Sequence, residues 1–207
     1  MPSWKISRDK VLQRDEIRRV LADLHRKAAR STNTRMNLTL FRLATCCGLR
    51  ASEACGLLLD DVRVASDRPT IRVPKSIAKG HKARIVPLTF DQGTLDDLRA
   101  WKSFRQSQGA RGVELFLCSQ HSDTRGRKID RRNARMRFKS ACKCLGSERQ
   151  SQLTLHHGRH SFISHALHGN KSIVEVRDAA GHASLATTSI YAHLVSDDDG
   201  KVGNLFA

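Results

Sequence analysis

Four short stretches of the sequence each place a cationic or titratable side chain beside a residue that favours a turn or a helix end. They are residues 48–53, residues 78–84, residues 156–160, and the pair Gly181-His182, which Tyr191 follows nine residues later. Guanidinium forks bind phosphate oxygens, and histidine, lysine and tyrosine side chains exchange protons where their surroundings permit it. The four stretches are therefore candidates for a site that binds an anion and acts on it.

The first two stretches have flanking residues that predict how they are held. Gly48 ends one helix and Ser52 can cap the next, so Arg50 lies in the connection, where its fork can project into a cleft. Lys79 lies near the tip of a hairpin, on a projecting loop.

The third stretch has helical spacing. On a helix His156, Arg159 and His160 share one face, because they lie at positions i, i+3 and i+4. We interpret His160 as a structural helix histidine. Tyr191, the residue that closes the fourth stretch, is the only tyrosine of the chain.

Hydrophobic spacing predicts the elements that must carry these stretches. Apolar residues at intervals of three and four predict helices, and two short β-branched runs flank the lysine-containing turn. The predicted elements are helices over residues 17–28, 36–47, from Ser52, 95–104 and 130–145, three shorter helices after them, and strands over residues 70–73 and 84–88. The expected fold class is α+β, mainly α-helical, with a small antiparallel β-sheet.

The composition indicates a polyanionic partner. The chain has 207 residues, with 37 Lys and Arg against 20 Asp and Glu, which gives a formal net charge of +17. This surplus favours nucleic acid. No apolar run is long enough to cross a membrane and no secretory leader precedes the first helix, so a cytoplasmic, nucleoid-associated protein is expected.

The positive charge is concentrated between residues 125 and 143. Arg127, Arg131, Arg135 and Lys139 repeat every four residues, which predicts a cationic stripe along one helix. A basic run is often only a solvated face, but the charge of the whole chain favours contact with a phosphate backbone here. The predicted DNA-binding residues are Arg127, Lys128, Arg131, Arg132, Arg135, Lys139 and, in the hairpin, Lys82 and Arg84.

Taken in order, the four stretches resemble the catalytic domain of the tyrosine recombinases, the phage integrase family. The resemblance runs from about residue 14 to residue 193. The matching motifs are Gly48-Leu49-Arg50-Ala51-Ser52-Glu53, Lys79 within K-G-x-K-x-R-x-V-P, the H-x-x-R-H of residues 156–160, and Gly181-His182 followed by Tyr191.

The resemblance implies that Tyr191 attacks a DNA phosphodiester, forms a 3′-phosphotyrosine and releases a 5′-hydroxyl. Arg50 and Arg159 are then the pair that stabilises charge on the non-bridging oxygens, and loss of either is expected to cost about 10²–10³ in rate. Considered alone, Arg50 would be assigned to a salt bridge with Glu53.

The remaining catalytic roles are implied in the same way. Lys79 donates a proton to the leaving oxygen, with Lys75 and Lys82 as neighbouring alternatives. His156 accepts the tyrosine proton, and His182 hydrogen-bonds the scissile phosphate. Nearby cations are expected to favour the phenolate of the tyrosine. No metal or cofactor is expected, because the arginines supply the positive charge that a cation supplies elsewhere.

The sequence also departs from the family pattern. Gly158 stands where the family usually has leucine, Leu155 where it often has proline, and Ala179-Ala180 where it usually has leucines. Family members usually carry a separate N-terminal DNA-binding domain, for which this sequence has no room. We expect a catalytic domain over residues 1–196 and a flexible tail over residues 197–207.

Three functions fit these observations to different degrees. The leading hypothesis is a site-specific DNA recombinase or its catalytic portion, acting on double-stranded DNA as a dimer or tetramer. The alternatives are an inactive DNA-binding remnant that regulates a full-length relative, and a type IB topoisomerase-like enzyme that relaxes DNA. The C-terminal tail, with Leu205-Phe206, either docks onto a neighbouring protomer or is disordered.

Overall fold

A computed structural model describes residues 6–192 of the chain. The described part is mainly helical, with one small sheet, as predicted. The helices are α1 (Arg14–Ala28), α2 (Thr32–Thr45), α3 (Ala51–Ala54), α4 (Gln92–Ser107), α5 (Arg131–Ala141), α6 (Ser147–Gln152), α7 (Leu155–His168), α8 (Ile173–Ala180) and α9 (Leu185–Ser189). The predicted tail lies outside the described residues.

Short polar side chains set the first residue of four of these helices. Ser31, Asp91, Asp130 and Ser172 each accept a hydrogen bond from the backbone N–H three residues later. The first N–H groups of a helix have no partner within the helix, so such a side chain fixes where it begins.

The sheet has three antiparallel strands, β1 (Val62–Arg63), β2 (Thr70–Val73) and β3 (Arg84–Pro87), in the order β1-β2-β3. Ile71 pairs with Val86, and both are fully buried. The connection from β2 to β3 carries Lys79 in a short 3₁₀ turn, where Gly80 has a φ of +75°. The predicted hairpin is therefore present.

Helix α2 lies at the centre of the core, packed against α1, α4, α5 and α7. Phe41 of α2 stacks on Phe138 of α5, with 5.6 Å between ring centroids. Arg42 is also buried there, and its guanidinium pairs with Asp91 at 2.9 Å and Asp97 at 2.7 Å. This pairing satisfies a charge that would otherwise be costly to bury.

Two boundaries differ from the sequence prediction. Arg50, rather than Ser52, occupies the N-cap position of α3. The helix predicted over residues 130–145 ends at Ala141 and continues only as a 3₁₀ turn, so Arg127 precedes the helix and the predicted four-residue stripe is shortened to Arg131, Arg135 and Lys139. None of the helices within residues 6–192 is long and apolar enough to cross a membrane.

Close packing explains why glycine stands at position 158, where the family usually has leucine. A Cβ at this position would lie 2.9 Å from Thr45 Oγ1, 3.1 Å from the Phe138 ring and 3.2 Å from the Ala44 Cβ. The glycine thus allows α7 to approach α2 and α5 more closely than any side chain would.

Replacing Gly158 with leucine is therefore expected to lower the free energy of unfolding by about 1–3 kcal/mol, because the side chain must displace packed neighbours. Urea unfolding measures this change. Gln106→Leu, on the exposed surface of α4, is the control and should change stability by less than about 0.5 kcal/mol. Equal stability of the Gly158→Leu protein and wild type would contradict the packing explanation.

Candidate active site

Glu53 organises the first arginine stretch from a fully buried position. Its two carboxylate oxygens accept hydrogen bonds from the Arg50 backbone N–H at 2.8 Å and from Arg50 Nη1 at 2.9 Å. Arg84 of β3 adds two more, from Nη1 at 2.8 Å and Nη2 at 2.7 Å. Burial opposes ionisation of Glu53, but the hydrogen bonds and charge of Arg84 hold its pKa below the usual range.

The C-terminal end of α8 orients three arginines at once. The carbonyl oxygens of residues 179, 180 and 181 accept hydrogen bonds of 2.8, 2.6 and 3.2 Å from Arg84, Arg159 and Arg50 respectively. The last carbonyls of a helix have no partner within the helix and carry partial negative charge, so they attract guanidinium groups. A second bond of 2.5 Å, from Arg159 Nη1 to the Gly48 carbonyl, fixes that side chain further.

This cluster carries an excess of positive charge. Three arginines face the single carboxylate of Glu53, and Arg159 is only 5% exposed. Burial and the neighbouring Arg50 lower the pKa of Arg159 to about 9, so the side chain still carries its charge at neutral pH. The arrangement favours binding of an anion.

The position of Arg84 corrects its assignment as a DNA contact. Its side chain is 8% exposed and donates two hydrogen bonds to Glu53 and one to the carbonyl of Ala179. A Cβ on Gly181, whose φ is +66°, would lie 2.8 Å from Arg84 Cδ. Arg84 therefore links the hairpin, α3 and the end of α8 from inside the protein, where it is less accessible to a DNA backbone than the exposed Lys82.

The hydroxyl of Tyr191 is hydrogen-bonded to a histidine other than the one that the sequence indicated. Its oxygen lies 2.6 Å from His160 Nδ1, whereas the resemblance implied His156 as the proton acceptor. His182 stacks on the tyrosine ring, with 6.4 Å between ring centroids, and is held by Thr188 Oγ1 at 2.9 Å from its Nδ1. The i, i+4 spacing of the two histidines was the sequence signal for His160, but spacing alone does not show which one reaches the tyrosine.

Protonation states in this pocket follow from burial. Tyr191 is 3% exposed, and burial raises the pKa of its phenol although Arg159 opposes the rise. The predicted effect of a nearby cation is present, but burial outweighs it in the DNA-free protein. Burial, reinforced by His157, lowers the pKa of His160 to about 4, so this histidine is neutral at pH 7 and its Nδ1 can accept the phenolic hydrogen.

The same shifts predict that stability falls when the pH is lowered from 7 to 5. Burial lowers the pKa values of His160 and His182 to about 4, while in the unfolded chain both titrate near pH 6.5. Below about pH 6.5 the unfolded state therefore binds more protons, and stability is lost as the pH falls toward 4. Melting temperatures measured from pH 7 to 5 should decrease, and the decrease should be smaller in the His160→Gln, His182→Gln double variant. His121→Gln, at an exposed position, should retain the full decrease, and an unchanged slope in the double variant would refute the assignment.

A cleft of about 1000 Å³ lies between the first arginine stretch, the hairpin and α5. Arg50, Lys79 and His156 line it together with Lys128 and three cations of α5. Burial and the charges of Arg159, Arg50 and Lys79 lower the pKa of His156. Of the six predicted catalytic residues, three line the cleft, while Arg159 and Tyr191 are buried and His182 is half-buried beside the tyrosine.

The cations of the cleft wall are arranged along one side of α5. Arg131, Arg135 and Lys139 all line the cleft, and we call them the cleft row. Lys139 Nζ donates to the Ser151 carbonyl at 3.0 Å, whereas Arg131 and Arg135 have no hydrogen bond or ion pair within the described part of the chain. Two unpaired guanidiniums at i, i+4 repel each other, which is favourable only when an anion lies beside them.

DNA affinity is accordingly expected to decrease steeply with salt, with a log–log slope of about −0.9 for each phosphate neutralised. Charge reversal at Arg131 and Arg135 should weaken binding of all duplex sequences alike. It should also reduce the steepness of the log–log slope by the contribution of about two phosphates. Reversal at Arg26, on the exposed surface of α1, is the matched control. A slope unaffected by the α5 reversals would exclude the cleft row from the DNA interface.

No group of three or more histidine, cysteine or acidic side chains that could hold a metal occurs within residues 6–192. All six cysteines are free thiols, and five of them are buried.

Comparison with known proteins gives a consistent result. Residues 10–197 match the model of the phage integrase family. Tyrosine recombinase XerC of Corynebacterium glutamicum is 33% identical over 147 residues, which is 71% of this chain and 43% of that protein. XerC of Mycobacterium tuberculosis is 33% identical over 150 residues, or 71% of this chain and 46% of that protein. The chain thus spans less than half the length of these curated relatives.

Solved structures share the fold. The crystal structure of XerA recombinase superposes with a TM-score of 0.69 at 23% identity, covering 88% of this chain and 60% of XerA. XerH site-specific recombinase, bound to a palindromic difH substrate, has a TM-score of 0.69 at 24% identity, covering 90% of this chain and 50% of XerH.

Proposed function

This chain belongs to the phage integrase family, and we propose that it breaks and rejoins strands of double-stranded DNA as a site-specific recombinase or its catalytic portion. One observation carries the proposal. Arg50, at the N-cap of α3, and Arg159 of α7 converge on the end of α8, next to a buried Tyr191 whose hydroxyl already has a proton acceptor. A nucleophile, a base and an anion site thus lie close together in the DNA-free protein.

The proposed first step is an in-line displacement at phosphorus. The Tyr191 oxygen bonds to the scissile phosphorus while the bond to the 5′-oxygen breaks, leaving the DNA attached through a 3′-phosphotyrosine. The phenolic proton passes to Nδ1 of His160, which lies 2.6 Å from the phenol oxygen in the DNA-free protein. Lys79, in the hairpin at the mouth of the cleft, gives its proton to the departing 5′-oxygen.

The two arginines and His182 stabilise the negative charge of the transition state. Arg50 and Arg159 bind the two non-bridging oxygens, exchanging part of their contact with carbonyl groups for contact with phosphate. His182, held by Thr188, hydrogen-bonds the same phosphate. Attack of a 5′-hydroxyl from a second DNA end on the phosphotyrosine reverses the step and completes strand exchange.

Buried Tyr191 imposes a condition on this mechanism. The phenol is 3% exposed and hydrogen-bonded inward, so the segment that carries it must shift before its oxygen can meet a phosphorus atom in the cleft. We propose that DNA binding supplies this shift, with residues 1–196 as the catalytic domain and a dimer or tetramer assembled on DNA close to the nucleoid.

The experiment that tests the function is capture of the covalent adduct. Duplex sites selected by the protein from a random-sequence pool are rebuilt with a nick near the cleavage point, so that the short released strand diffuses away and the adduct persists. A protein–DNA species that survives denaturing electrophoresis is the expected result. Binding without any adduct would favour an inactive DNA-binding protein, and relaxation of supercoiled plasmids without sequence preference would favour a topoisomerase.

A further inference from the structure

Helix α5 presents chemically different rows of side chains around its axis. Successive residues turn by about 100°, so positions four apart form a row. Ala134, Phe138 and Ala141 are buried against the core, and the cleft row lies to one side of them. On the other side Arg137 is tied to side-chain amide oxygens of Asn133, Asn37 and Asn33 at 2.8–3.2 Å.

The row that points directly away from the core consists of Arg132, Met136 and Ser140, and we call it the outer row. All three residues are exposed. Arg132 has no hydrogen bond or ion pair in the described part of the chain. The outer row is therefore the part of α5 that first meets anything lying against this helix.

Met136 is the anomaly in this row. It is 62% exposed, whereas the other long side chains on the accessible surface of α5 are cationic. No packing contact in the core accounts for it, since the buried positions of α5 are filled by other residues. An apolar side chain surrounded by cations is expected on a binding surface whose edges contact charged groups and whose centre contacts an apolar group.

We propose that Met136 contacts the 5-methyl group of a thymine in the major groove, with the cations beside it on the flanking phosphates. This inference rests on the proposed function and specifies how that site selects DNA. An α-helix fits the major groove, which is about 12 Å wide, and the thymine methyl is the one apolar group that the groove presents. The helix ridge farthest from the core reaches base edges, while lateral rows reach the backbone.

Arg132 and Ser140 complete the outer row as polar neighbours of Met136. Arginine can donate two bonds to the O6 and N7 atoms of guanine, and serine bonds less selectively. The cleft row lies roughly 100° or less from the outer row around the helix, which places its charges on one phosphate strand while the outer row faces the bases.

The test uses sites that the protein itself selects from a random-sequence duplex pool, for wild type, Met136→Ala and the control Val113→Ala. Val113 is 75% exposed and lies outside the cleft. Wild type and Val113→Ala should enrich the same motif. Met136→Ala should lose the preference at one or two adjacent positions that include a thymine and retain the others.

Replacing that thymine by uracil removes only the methyl group. This change should weaken wild-type binding about fourfold, the value for one buried methyl, and leave Met136→Ala unaffected. An identical motif in wild type and Met136→Ala would overturn the inference and leave the proposed function untouched. A wild-type protein that enriched no position would overturn the inference together with the site specificity of the proposed function. Equal binding to thymine and uracil would also overturn it, and would indicate a wedge in the minor groove if the DNA were bent as well. If wild type bound no duplex at all, the proposed function itself would be wrong.

Discussion

A protein carrying Tyr191→Phe is expected to bind DNA as tightly as wild type and to form no covalent adduct. The substitution removes one oxygen atom, and with it both the attacking group and the 2.6 Å hydrogen bond to His160. The rest of the ring keeps its packing against His182, with 6.4 Å between centroids, so loss of the hydrogen bond should cost only about 1 kcal/mol of stability. Gel retardation and the nicked-substrate trap measure the two properties separately.

The composition of the chain makes this variant unusually decisive. Tyr191 is its only tyrosine, so no second phenol can substitute for it. His160→Ala is the companion variant, and it should form the adduct more slowly because the phenolic proton then has no acceptor at Nδ1. An adduct of normal yield in Tyr191→Phe would mean that another side chain is the nucleophile.

Replacing Glu53 with alanine is expected to lower the free energy of unfolding by about 3–5 kcal/mol and to abolish cleavage. The carboxylate is fully buried and accepts four hydrogen bonds from Arg50 and Arg84, so its removal leaves two guanidiniums without their counter-charge. Arg159 lies in the same cluster, and the added repulsion should disturb its orientation as well. Urea unfolding measures the first effect and the nicked-substrate trap the second.

Two further variants separate loss of charge balance from loss of folding. Glu53→Gln preserves the shape of the side chain and should remain folded, with DNA affinity near that of wild type and a much slower chemical step. Glu114→Gln is the matched control, because this carboxylate pairs with Arg105 at 3.6 Å and its side chain is 46% exposed. Its loss should cost less than about 1 kcal/mol. If Glu53→Ala were no less stable than Glu114→Gln, the buried cluster would not have the organising role assigned to it.

Local patterns were sufficient to predict much of the fold. Each helix and strand buries one face, and the residues of that face recur at a short, regular spacing in the sequence. This spacing predicted α1 and α2 from their apolar residues and β2 and β3 from their β-branched residues. The motifs also predicted which residues gather near the cleft, since Arg50, Lys79 and His156 line it together.

The features that could not be predicted depend on contacts between distant parts of the chain. In the sequence Arg84 is one of several cations of a basic hairpin. Its side chain is buried because it pairs with Glu53, which lies 31 residues earlier in the chain. Gly158 departs from the family pattern because Thr45 and Phe138 pack against it. The raised pKa of Tyr191 likewise follows from burial, which the surrounding positive charge does not indicate.

The central claim is that this chain joins itself to DNA through Tyr191, and the chemical identity of the trapped linkage tests it most directly. The adduct is digested with nuclease and protease, and the modified peptide is fragmented in a mass spectrometer. We expect a nucleotide attached through its 3′-phosphate to the hydroxyl of Tyr191, with a free 5′-hydroxyl on the released strand. Attachment at any other residue, or through a 5′-phosphate, would contradict the mechanism.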